Sequence, residues 1–219
     1  MRVLVCIIRE IPRTLLSATG SLIAGGFLHW YFFGPVPHPE FHEEVTDSQF
    51  VKFTDEIIRL EGGFVLSDGG ATYAGINRAA HPDSPLWKMH LSTPPSEQVK
   101  AQVYREYMMG YYKRLRIADL PEQIGFLVYD FGVNAGNVTS AKTVQGVVFS
   151  DPRQVDGHIG PFSINAINGA DDNLPHRFSF KRMSYYTHLV LRDPEKHGND
   201  LEAWESRVDK ALQFSQSLE

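Results

Sequence analysis

The sequence predicts a predominantly α-helical α+β domain with one small β element, preceded by an N-terminal helix of transmembrane type. Three observations predict it. From Asp47 onward, apolar residues recur at helical spacing in successive stretches separated by Gly and Pro. Only residues 64–77 break that period; they are rich in Gly and too short for more than a small hairpin. Between Thr14 and Pro39 there is no Asp, Glu, Lys or Arg.

Residues 15–33, the apolar part of that stretch, span about 28 Å as a helix, close to a hydrocarbon core. Arg2, Arg9 and Arg13 precede them, so the positive-inside rule leaves the N-terminus in the cytoplasm and places everything after Gly34 outside. Ser17, Ala18, Thr19, Gly20, Ser21, Ala24, Gly25 and Gly26 make this a weakly apolar span. A cleaved signal peptide and a buried core helix are the alternatives. The apolar region exceeds the usual signal length, and no Ala-x-Ala site follows it. A Pro-rich linker, "GPVPHPE", ends the segment. Residues 1–39 therefore form a membrane-inserting segment and linker, and residues 40–219 a folded domain.

That domain opens with Asp47 capping a helix to about Leu60, with Phe50, Phe53, Ile57 and Leu60 on one stripe. Gly62 or Gly63 stops it. After the hairpin region, Ser96 caps a second helix whose face is Val99, Val103, Tyr107 and Tyr111. A third has Pro121 in its first turn and packs Ile124, Leu127, Val128 and Phe131. Further helices are expected near 138–149, 162–168, 176–192 and 200–214.

Composition narrows the function. The chain has 219 residues, 42% apolar and 21% charged, with a net charge of −5. That suits one domain of about 170–180 residues plus an extension. Arg2, Arg9, Glu10 and Arg13 sum to +2, so the remainder carries −7. Such a balance argues against nucleic acid as a partner. A single cysteine, Cys6, allows no internal disulfide. The nine histidines are scattered without zinc spacing, and no metal or cofactor is implied.

The chemistry concentrates at "LEGGFVLSDGGATYAGI", residues 60–76. Glu61 shares the stripe of Ile57 and Ile58 and lies at a helix C-terminus, where the dipole is negative. Both conditions disfavour a carboxylate and predict a raised pKa, which suits a general acid for glycosidic cleavage. Asp68, in a Ser-Asp-Gly-Gly turn, is expected to be exposed and ionised. Thr72 is placed to hold a water between the two. The bland alternative is a helix end followed by a turn, and spacing alone leaves both readings open.

"EGGFVLSDGGATYAGI" resembles the "EGGY…D-GG-T-x-x-GI" opening of the family-108 glycoside hydrolases, muramidases of phage endolysins and prophage secretion-activating proteins. "YREYMMGYYKRLRIADLPEQIGFLVYDFGVNAG" is similar to the family's Y-x-x-x-Y-W…LP…D-x-x-x-N-x-G stretch. "VDGHIGPFSINAIN", "FKRMSYY" and "LEAWESRV" resemble its later elements in the same order. The resemblance implies a lysozyme-like core, a peptidoglycan-interacting part over about 118–219, and Glu61 as catalytic acid. The order Glu61, Asp68, Thr72 is also similar to the phage-type lysozyme triad. Phe64 stands where the family has Tyr, the intervening loop is cut to "VLSD", and Ala203-Trp204 replaces Gly-Trp.

Tyr73 is a candidate for stacking on sugar, with core packing as its alternative. Asp130 and Asn134, four apart on one helical face, suit polar contacts to sugar or to the Glu61 loop, or a helix-ending network. Asp156-Gly157 with Gly160-Pro161 suits backbone presented to glycan strands, or only a turn.

The expected activity is that of a peptidoglycan hydrolase, an endolysin-like lysozyme acting on the periplasmic side, tethered to the inner membrane through residues 15–33 or released from it, since that span resembles the signal-arrest-release segments of some phage endolysins. A lytic transglycosylase and a non-catalytic wall-binding protein are the rivals.

Overall fold

The computed structural model describes residues 47–218. The membrane-inserting segment and linker expected over 1–39 lie outside the described residues. Among the described residues no helix is long and apolar enough to cross a membrane.

The first helix, α1 (Ser48–Leu60), starts at Asp47, whose carboxylate accepts from the backbone N–H of Gln49 and Phe50. It buries Phe50, Phe53, Thr54, Ile57 and Ile58. Its end is a Schellman motif, with Gly63 N–H donating to Ile58 O at 2.8 Å and Gly62 N–H to Arg59 O at 3.2 Å. Gly62, at φ +94°, takes the left-handed turn that the motif requires.

A three-stranded antiparallel sheet follows: β1 (Leu66–Ser67), β2 (Thr72–Tyr73) and β3 (Ile76–Asn77). The two-stranded hairpin that the sequence suggested gains a strand because the short turn Asp68–Gly70 folds β1 back onto β2.

The helix α2 (Glu97–Tyr107) is capped by the Ser96 hydroxyl, as predicted, and continues into a wider π-type turn at Met108–Tyr112. The remaining helices are α3 (Glu122–Ala135), α4 (Asn137–Val148), α5 (Pro161–Asn168), α6 (Leu174–Arg192), the single turn α7 (Pro194–His197) and α8 (Leu201–Gln216). Pro121 is the N-cap of α3 rather than its first turn. The sequence pattern did not resolve the π-type turn or α7, both shorter than the repeat on which periodicity rests.

The helix α3 is the centre of the domain. Every residue from Ile124 to Gly132 is buried, and α1, α4, α6 and α8 all pack on it. Phe126 sits between Phe53 and Phe214, with ring centroids at 5.4 and 4.4 Å. Each such phenylalanine contributes about 1.5–3 kcal/mol by leaving water. Gly132 allows close packing, since a Cβ there would lie 2.4 Å from Leu115 Cδ1 and that side chain would have to shift. The fold is thus mostly helical α+β with a small sheet, and it fits a lysozyme-like architecture.

Candidate active site

The helix end, the hairpin and the far helices converge on Glu61. As the C-cap of α1, Glu61 is fixed through its own backbone, its N–H donating to Ile57 O at 2.9 Å. Gly75 then comes up against its side chain. A Cβ on Gly75 would lie 2.7 Å from Glu61 Cγ and 2.7 Å from the Tyr107 hydroxyl. Ala74 and Gly75 both have positive φ, 47° and 76°, which lets a two-residue turn join β2 to β3 without splaying them. Tyr107 donates to Ala74 O at 3.0 Å and pins that turn. Burial pushes the Tyr107 phenol well up, and the Glu61 carboxylate adds to this, so the ring stays a donor.

From the other side comes a charged chain. Arg207 on α8 reaches Glu61 Oε1 at 2.8 Å and Asp130 Oδ1 at 2.7 Å through the same nitrogen. Arg182 on α6 takes the other oxygen of Asp130 at 2.6 Å, and its Nε donates to the Tyr186 hydroxyl at 3.1 Å. Tyr186 in turn donates to Asn134 Oδ1. Asp130 and Asn134 on α3 and Arg182 and Tyr186 on α6 are both four-residue pairs, so two helix faces meet like rungs. Trp204 stacks on Tyr186 at 4.7 Å and 16°, which seats α8 and carries Arg207, three residues on, over Asp130.

Asp130 is 0% exposed and Arg182 1%. Burial pushes the Asp130 carboxyl up, but Arg182 and Arg207 outweigh it and hold the pKa below the ordinary value. Burial opposes charge on Arg207 as well, and Asp130 and Glu61 more than offset this, raising its pKa.

The other two members of the expected triad lie on the sheet. Asp68 is exposed, with φ at +53° in the turn between β1 and β2. Thr72 is half-buried on β2, and its hydroxyl accepts from Asn77 Nδ2 at 3.0 Å.

Tyr73 and Asp130, expected as substrate contacts with core packing and an internal polar network as their alternatives, are both buried. Tyr73 is 0% exposed and donates to Ser92 O at 2.6 Å, so both ring faces are in the core. Alternation along β2 turns it inward beside Ile76. Asp130 has no surface for a sugar and reaches Glu61 only through Arg207. Asn134 is exposed. The loop Asp156–Pro161 is held from below by the buried Gln145. This amide donates to Asp156 Oδ1, His158 O and Ser163 Oγ, and it accepts from Gly157 N–H.

Arg207, Arg182, Gly75 and Asn77 were missed as site residues. The first two stand inside "LEAWESRV" and "FKRMSYY", so an arginine in each quoted stretch was the available signal. The helical stripe around Glu61 is apolar, and the cation that reaches it comes from α8, far along the chain. No group of His, Cys, Asp and Glu among the described residues is arranged to hold a metal.

The family model of glycosyl hydrolase 108 matches residues 54–136, which include Glu61, Asp68, Thr72, Asp130 and Asn134 but neither arginine. A solved structure, that of Brucella abortus SagA, superposes with a TM-score of 0.58 at 22% identity, over 77% of this chain and 94% of that one. At that identity the likeness is one of fold. No curated protein matches the chain.

Two outcomes follow from this geometry. A depressed folded pKa contributes stability that is present above the unfolded value, about 3.9, and is lost as pH falls through the folded value. We therefore expect Asp130→Asn to cost about 3–5 kcal/mol at pH 7, because it leaves the buried Arg182 and the partly buried Arg207 short of a partner. The wild type should lose stability below about pH 4 more steeply than this variant, so that thermal unfolding curves converge in acid. Parallel acid dependence in the two proteins would place the titrating group elsewhere. Gly75→Ala forces Glu61 aside; a displacement near 1 Å costs about a hundredfold in turnover. Wild-type turnover in the Gly75→Ala variant would mean that the Glu61 side chain is not held by the hairpin.

Proposed function

We propose that the protein is a peptidoglycan hydrolase of the N-acetylmuramidase type, cleaving the β-1,4 bond between N-acetylmuramic acid and N-acetylglucosamine. The observation that carries this reading is the setting of Glu61. It lies within the stretch that matches a glycoside hydrolase family, at a rigid helix end, clamped between a hairpin turn and an arginine.

In the proposed mechanism Arg207 orients the carboxyl through Oε1, and Oε2 carries the proton to the leaving glycosidic oxygen. Because Arg207 is shared with the buried Asp130, its charge is divided between two carboxyl groups rather than directed wholly at Glu61. Asp68, open to solvent, takes the proton of a water that attacks the anomeric carbon, and Thr72 orients that water. Asn134 and the Asp156–Pro161 loop contact the glycan strand, within a wall-interacting part over 118–219. The role is lysis of the host cell, with the catalytic domain on the periplasmic side.

Turbidity loss of purified sacculi tests the activity. Glu61→Gln should fold as the wild type does and lose activity by about 10²–10⁴-fold, the usual worth of a positioned acid. Clearing by the Gln variant at the wild-type rate would remove Glu61 from the mechanism. Products lighter by one water would indicate a transglycosylase instead.

The membrane reading rests on residues 15–33. We expect full-length protein in the membrane fraction, moving uncleaved to the soluble fraction when the membrane is depolarised. A shortened soluble form would identify a cleaved signal peptide, and protein that never moves a permanent anchor.

A further inference from the structure

We propose that Asn77 is a positioning residue that sets the direction of the Thr72 hydroxyl, turning its proton outward to the attacking water. The inference rests on the reading of Glu61 as acid and Asp68 as base.

Thr72 and Asn77 are directly opposite in the register of β2 and β3, while Tyr73 and Ile76 occupy the adjacent rung. Side chains alternate across a sheet, so the buried Tyr73 and Ile76 lie on one face and the half-buried Thr72 and Asn77 on the other. The same turn that abuts Glu61 joins these rungs.

The Asn77 amide has one chemically allowed orientation. Its oxygen accepts the backbone N–H of Ala79 at 2.8 Å and of Ala80 at 3.4 Å. A nitrogen turned toward those donors would face hydrogen with hydrogen, so Nδ2 must face Thr72. It does so at 3.0 Å from Oγ1. An amide nitrogen donates and cannot accept. The hydroxyl of Thr72 therefore spends a lone pair on Asn77, and its single proton is left for another acceptor.

The turn itself explains only half of this side chain. An Asx turn needs the oxygen, and an aspartate would supply it equally well. Among the described residues the nitrogen donates to Thr72.

A water that accepts the Thr72 proton has one oxygen lone pair fixed and the other directed at the anomeric carbon. Both of its own protons remain, one of them for the Asp68 carboxylate. In the step, the bond from water oxygen to anomeric carbon forms as the bond from that carbon to the leaving oxygen breaks. Asp68 takes the proton from the water, and Glu61 gives its proton to the leaving oxygen. Were Thr72 reversed, it would accept a proton of the water instead of donating to it, and neither lone pair of that water would be held in place.

Asn77→Asp tests this, since it keeps the turn oxygen and presents Thr72 with an acceptor in place of a donor. With the full chain and purified sacculi, kcat should fall by about tenfold, the worth of one misdirected hydrogen bond. KM should stay within about twofold, as binding is untouched. In added methanol the ratio of methyl glycoside to reducing-end product should rise, because water loses its fixed place; a purely structural defect leaves that ratio unchanged. Thr72→Val should shift the ratio in the same way, and Asn77→Asp should add nothing on the Thr72→Val background. An Asn77→Asp enzyme with wild-type kcat and ratio overturns the proposal, as does a further loss in the double variant. A wild type that releases no reducing ends overturns the reading of the site as a hydrolase, and this proposal with it.

Discussion

The site depends on one buried carboxylate. Asp130 stands on the central helix with no exposure to water, and it is tolerable there only because Arg182 and Arg207 each take an oxygen. Removing an ion from water costs several kcal/mol, which only close, well-directed partners offset. Two helices, α6 and α8, are thereby held to α3 by requirements that have few geometric solutions. Arg207, once committed to Asp130, has its remaining reach directed at Glu61. The placement of the Glu61 carboxylate is thus inherited in part from the core.

The opposite wall is set by backbone alone. A glycine at position 75 lets the hairpin approach until nothing fits between it and the Glu61 methylenes. Tyr107 holds the turn in place through Ala74 O. The carboxylate is therefore fixed on three sides by unlike means: a helix cap beneath it, a guanidinium on one flank and bare backbone on the other.

Much of this was legible in the sequence and some was not, for physical reasons. Helices of more than two turns announce themselves by period, and their caps by Asp47 and Ser96. The Glu-Gly-Gly stretch marks a helix end because left-handed turns select glycine. The direction in which Tyr73 points was decided by pairing register, which a two-residue strand is too short to reveal. The partner of Glu61 was hidden by distance along the chain. Arg207 is brought to it by the stacking of Trp204 on Tyr186, a contact between two helices that no local pattern encodes. Asp130 and Asn134 were seen as a helical pair, yet which groups they face depends on the register of α6 against α3. The membrane segment over 15–33 rests on hydropathy and flanking charge alone.

The lateness of Arg207 in the chain has a consequence for when the site comes into being. A polypeptide emerges from synthesis in order, and its helices can dock only once they exist. Glu61, the hairpin and α3 are all made before α8, so until α8 exists Glu61 has no Arg207 to pair with. Asp130 is then also short of one of its two partners, which leaves the central helix carrying an undercompensated charge. The docking of α8 relieves both deficits in a single event. Packing of α8 on the core and completion of the setting of Glu61 therefore go together, and a nascent chain lacks that setting until α8 has docked.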